Sequence, residues 1–104
     1  MEGFDLEGID EVIHGRLRLG IMAYLAHAEA ADFTELKTAL KATQGNLSIH
    51  LRKLEEAGYV TIQKTFVDRV PRTLIRLTDE GRDAVQRYNR TMQRVLDELL
   101  GKRQ

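Results

Sequence analysis

The 104-residue chain has no cysteine, no tryptophan, a single proline and three histidines. Without cysteine there are no disulfides, thiolate metal sites or redox-sensing thiols, and the composition suits a reducing cytoplasm. The histidines, His14, His27 and His50, are widely separated, so no metal-ligand cluster is expected. No apolar run approaches the ~18 residues that a membrane span requires. The start, "MEGFDLEGID", is acidic and lacks the basic and apolar regions of a secretory signal. An enzyme also finds little support. There is no phosphate-cradling glycine loop, and Ser48 and His50 would point about 160° apart on a helix, which excludes a dyad.

What is present is an ordinary globular composition, 42% hydrophobic and 31% charged, in a length that suits one domain. The formal net charge is zero, but the charges are segregated. Residues 1–35 hold eight acidic residues against two arginines, a net of −6. Residues 41–76 hold seven basic residues (Lys41, Arg52, Lys53, Lys64, Arg69, Arg72, Arg76) against three acidic ones, a net of +4. A basic middle inside a neutral chain is a local footprint for a polyanion.

Residues 1–8 read as an arm carrying Phe4 and Leu6. From Ile9 to about Ala28 the apolar residues follow helical spacing, with a break expected near His14-Gly15. "AEAADF" reads as a connection. Thr34 is the expected N-cap of a short helix, "ATQG" a turn, and a second helix runs from about Gly45 to Ala57, with Gly58 at its C′ position. Two short helices joined by a tight turn are a helix-turn-helix signature. "YVTIQKTF" and "TLIRL" read as two strands of a hairpin whose basic connection, "VDRVPR", includes Pro71. A last helix is expected from Thr78 or Asp79 to about Leu100.

On a helical wheel Leu47, Leu51 and Leu54 form one buried stripe of the second short helix. Gly45, Ile49 and Arg52 lie opposite, flanked by Asn46, Ser48 and Lys53. Such a face suits the DNA major groove. Asn46 or Gln44 matches adenine, Arg52 guanine or a phosphate, Ser48 either, and Ile49 a thymine methyl. Gly45 would let the backbone approach phosphates at a helix N-terminus. Lys64, Arg69, Arg72 and Arg76 suit phosphates or a minor groove. In the last helix Val85, Tyr88, Met92, Val95 and Leu99 recur at spacings of 3 and 4, and Leu96 and Leu100 widen the stripe. It must be buried, either on its own domain or, as preferred here, on a second copy.

The order helix, helix, "LSIHLRKLEEAGYV", "TIQKTF", "PRTLIRLTDEGRDAV" resembles the winged-helix transcriptional regulators of the MarR and ArsR type, closest to the short MarR-like group. The likeness covers about residues 9–100. It implies an α+β, mainly α fold: a winged helix-turn-helix over 9–78 with a two-stranded wing, and a dimerisation helix over 79–104. It makes 45–53 part of the recognition helix and Val67–Thr73 the wing. It also makes Thr43, Gln44, Asn46, Ser48, Ile49 and Arg52 candidate DNA contacts, while His50 is expected to pack or meet a phosphate. The implied function is a cytoplasmic, homodimeric, sequence-specific regulator, a repressor by family habit. Its partner is double-stranded DNA at a near-palindromic site, with no cofactor. Any small-molecule effector would use the dimer interface near Tyr24, Tyr88 and Met92. The alternative is a winged-helix module that binds protein or RNA, since fold does not fix function.

Overall fold

The computed structural model describes residues 6–101; the expected arm residue Phe4 lies outside them. After a 3-10 turn at Leu6–Gly8, the elements are α1 (Arg16–Ala28), β1 (Ala30–Asp32), α2 (Phe33–Leu40), α3 (Gln44–Glu56), β2 (Val60–Val67), β3 (Val70–Leu77) and α4 (Asp79–Leu99). The strands form one antiparallel sheet in the order β1-β3-β2. Leu47, Leu51 and Leu54 of α3 meet Ile21, Met22 and Leu25 of α1, Leu36 of α2, and Val60 and Ile75 of the sheet in a single core.

The first helix starts at Arg16 rather than Ile9. The break expected at His14-Gly15 is the reason. Asp10 caps a single turn, its Oδ1 accepting from the amides of Val12 (2.9 Å) and Ile13 (3.3 Å) and its carbonyl from the His14 amide (2.8 Å). Gly15, extended at φ −157° and ψ 141°, ends that turn before α1 begins. The apolar residues keep their partners: Ile13 is buried, and Ile9 and Val12 pack on the core. The "AEAADF" connection contains a strand, β1, pairing Ala31 with Ile75. Nothing in an alanine pair favours a strand, so β3 imposes the pairing. Asp32, not Thr34, caps α2, accepting from the Glu35 amide at 2.7 Å. The hairpin turn is the pair Asp68-Arg69, both with positive φ, so Pro71 lies within β3 opposite Phe66.

Two features set the position of α3. At its end, Gly58 takes φ +82°, and the amides of Gly58 and Tyr59 bond back to Glu55 and Leu54, which releases the chain into β2. At its side, Arg18 of α1 donates to three acceptors: the Val12 carbonyl (2.5 Å), the Glu11 carbonyl (3.4 Å) and His50 Nδ1 (2.8 Å). Desolvation first, then the charges of Arg18 and Lys53, push the His50 pKa below its usual 6.5. His50 is therefore neutral at pH 7, with its proton on Nε2.

α4 is seated by its first turn. Thr78 Oγ1 accepts from the Gly81 amide and donates to the Gly58 carbonyl. A Cβ on Gly81 would stand 2.1 Å from the Tyr59 carbonyl oxygen. Tyr59 in turn donates to Asp10 Oδ2 at 2.5 Å. Burial and that bond raise the phenol pKa.

Gly81→Ala should thus destabilise by about 1–3 kcal/mol through backbone overlap, although alanine is the better helix former. Chemical denaturation measures it, and a stabilised variant would refute the close approach. For His50 the folded pKa lies below the unfolded one, so its contribution is full above about pH 6.5 and is lost as pH falls through the folded value. Melting temperatures between pH 7.5 and 5 should fall more for the wild type than for His50→Gln; parallel losses would contradict the Arg18–His50 account.

Candidate nucleic-acid interface

Burying one side of α3 fixes what the other side shows. Leu47, Leu51 and Leu54 are at most 2% exposed. Gln44, Gly45, Asn46, Ser48, Ile49, Arg52 and Lys53 are all exposed. Ile49 is 55% exposed, an apolar side chain left in water at the centre of that surface. Thr43 is the N-cap, its Oγ1 accepting from the Asn46 amide at 3.2 Å. Its role in the free protein is therefore to start the helix. Gly45 faces open space, where a Cβ would meet nothing within 4 Å.

Two clefts flank the N-terminal half of α3. One, of about 480 Å³, lies between α3 and the sheet; Gln44, Ser48 and Arg52 face Ile62, Lys64 and Thr73 across it. The other, of about 520 Å³, lies between α3 and the start of α1, where Arg16, Arg18 and Lys41 stand with Thr43, Asn46 and His50. α1 has no acidic residue in its first turn and no side-chain cap, so its positive dipole end adds to the charge of this cleft. Polar and cationic groups thus border the exposed face of α3 on both sides, with Phe33 and Glu55 also lining the sheet-side cleft.

The wing candidates do not all share this surface. Lys64 lies on the ribbon face that looks toward α3. Arg69 sits in the turn at the tip. Arg72 pairs in the register with Thr65 on the opposite face and is held by Asp32 in an ion pair of 3.1 Å. A phosphate would have to compete with that carboxylate. Two cations near α3 lie outside the expected DNA contacts, although Lys41 is counted in the basic segment. Lys41 directly precedes the turn, so its closeness to α3 was legible; Arg16 is brought there only by the packing of α1 on α3.

The other candidate surface is α4. Ala84, Tyr88 and Thr91 are buried within the protomer, Tyr88 against His14, whose Nδ1 is 2.8 Å from the phenol oxygen. Val85, Met92 and Val95 are half-buried, whereas Leu96 is 44% and Leu99 77% exposed. The apolar stripe continues past the point where its own domain covers it. Among the described residues no His/Cys/Asp/Glu group has the spacing to hold a metal, and no helix is long and apolar enough to cross a membrane.

Comparison with known proteins agrees with this geometry. Residues 17–96 match the winged helix DNA-binding domain family. The chain is 37% identical over 78 residues to an uncharacterized protein of Methanocaldococcus jannaschii, covering 75% of this chain and 85% of that one. A transcriptional regulator homologue from Pyrococcus horikoshii superposes with a TM-score of 0.81 at 36% identity, covering 86% and 89% of the two chains. A MarR-family regulator from Silicibacter pomeroyi shares the fold at 22% identity, with a TM-score of 0.62 over 85% of this chain and 58% of that one. The chain belongs to the winged helix DNA-binding domain family and has the fold of MarR-type transcriptional regulators.

Proposed function

We propose that the protein is a homodimeric repressor that reads a near-palindromic operator. In this reading α3 enters the major groove, and β2 and β3 form a wing against the backbone or minor groove. The observation that carries it is the exposed face of α3. It holds hydrogen-bonding side chains, an exposed isoleucine and a glycine with open space around it, on a helix locked from behind by three leucines. Asn46, Gln44 and Arg52 have the donors and acceptors for base edges, and Ile49 suits a thymine methyl. Thr43, Ser48 and Lys53 border this reading head, and Lys64 and Arg69 supply phosphate contacts. Arg72 contributes less, because Asp32 already holds it.

The dimer is supported by α4. Its 21 residues would span about 31 Å at helical rise, and its last turns present Leu96, Leu99 and Leu100 to solvent. Pairing with a second α4 removes that apolar surface from water and sets two copies of α3 about a two-fold axis. Val85, Met92 and Val95 keep part of their surface for this seam, and Tyr88 the least. Where an effector acts, this reading places it beside that seam. The cleft of about 540 Å³ between residues 7–11 and α4 is not that place: Arg87, Arg90 and Arg94 line it on the side of α4 away from Val85, Met92 and Leu99, and of the expected effector residues Tyr24, Tyr88 and Met92 only Tyr88 reaches it.

Binding titrations on selected and random duplexes test the assignment. Arg52→Ala and Asn46→Ala should each cost about 1–3 kcal/mol on the selected site and relax preference at one base position. Arg69→Ala should weaken all sequences alike and lower the salt slope by about 1. Equal losses on both duplexes for the α3 variants would defeat the recognition role and favour a protein- or RNA-interaction module. Leu96→Glu should sediment as a monomer; an intact dimer would place the seam elsewhere.

A further inference from the structure

The wing tip is apolar as well as basic. Phe66 is 71% exposed, Val67 49% and Val70 51%, and Pro71 beside them is exposed too. Single exposed apolar residues are normal, but four together on a projecting two-stranded ribbon are a standing hydration cost and mark a contact surface. The register says where they point. Phe66 lies opposite Pro71, two positions along from the Lys64–Thr73 pair, with the Ile62–Ile75 pair two further in. Side chains two apart share a face of a strand. Ile62, Lys64 and Thr73 line the cleft against α3, so Phe66 and Pro71 extend that same face beyond the body of the domain.

From Ile62 to Phe66 the strand advances about 13 Å at the usual rise. Half a turn of duplex, the step from a major groove to the next minor groove, is about 17 Å. The reach of the ribbon beyond the α3 cleft is thus of the same order as the step from one groove to the next, which brings a neighbouring minor groove within the range of Phe66. The surrounding charges select the occupant. Lys64 shares the face of Phe66 and Arg69 stands in the turn beside Asp68, a setting suited to a polyanion, while Arg72 on the other face is already held by Asp32. Arg69 also keeps an exposed cation at a positive φ of 68°, where glycine would be easier.

We propose that Phe66, backed by Pro71, is an apolar wedge that enters the minor groove beside each half-site and partly unstacks one base step. Lys64 and Arg69 hold the phosphates on either side. The proposal rests on the DNA-reading role of α3. Unstacking is easiest at pyrimidine–purine steps, TA above all, so the wedge adds a preference for such a step flanking the bases that α3 reads, and bends the duplex there.

The test uses a duplex selected from a random library by the full-length wild type, with 2-aminopurine placed in turn at the flanking A·T positions. Wild-type protein should raise the fluorescence at one flanking step. Phe66→Ala, an exposed substitution with unchanged melting temperature, should abolish the rise and cost about tenfold in affinity. The loss should shrink when the step is replaced by G·C, and Phe66→Leu should retain part of the signal. No fluorescence rise with wild type, and Phe66→Ala binding like wild type while Arg52→Ala fails, would overturn the wedge and leave the reading role of α3 intact. A smaller sedimenting species for Phe66→Ala without DNA would overturn it in favour of a contact between copies. No DNA binding by wild type at all would overturn both.

Discussion

Everything in this small domain depends on burying one side of α3. Leu47, Leu51 and Leu54 share one core with α1, α2 and the sheet, and none is more than 2% exposed. Truncating a leucine buried to this degree costs about 2–5 kcal/mol, a large share of the stability of a domain this size. The same stripe that holds the core together fixes the rotation of α3 about its axis. The polar face of the helix is then presented without loop flexibility between scaffold and surface. The Schellman turn at Gly58 and the Arg18–His50 hydrogen bond complete the clamp from the end and the side.

Charge follows from the same arrangement. A neutral chain can meet a polyanion because half of its acidic residues lie in the first third, while residues 41–76, which hold α3 and the wing, are net basic. Some charges are spent inside the fold. Asp10 closes the turn before α1 and receives the Tyr59 hydroxyl, Arg18 ties α1 to α3, and Asp32 both caps α2 and holds Arg72. What remains outward near the start of α3, apart from the exposed Ile49, is polar or cationic. Arg16 and Lys41 lie on one side of it and Lys64 on the other.

The long periodic elements were legible because their patterns are local. The leucine spacing of α3, the glycine that stops it, and the stripe of α4 all lie within a few turns of sequence. The residues of the outward face followed from the same wheel. Features decided by distant partners were not legible. β1 exists because β3 offers an edge to Ala30–Asp32. The break before α1, by contrast, was legible at His14-Gly15, where Gly15 takes an extended backbone. Arg72 looked free until the fold brought Asp32, forty positions away, to its guanidinium. The apolar wing tip was in plain sight as "TFV" and "VPR". Its meaning needed the register, which places Phe66 and Pro71 on one face and aims that face along α3.

The central claim is that α3 reads base sequence from a symmetric pair of copies. The most direct measurement is selection of bound duplexes from a random library at about 0.15 M salt, where non-specific phosphate binding is already weakened. The account predicts enrichment of a near-palindrome with half-sites about 10 base pairs apart or a multiple of that spacing. A pool that stays random, with only weak and salt-sensitive binding, would contradict it.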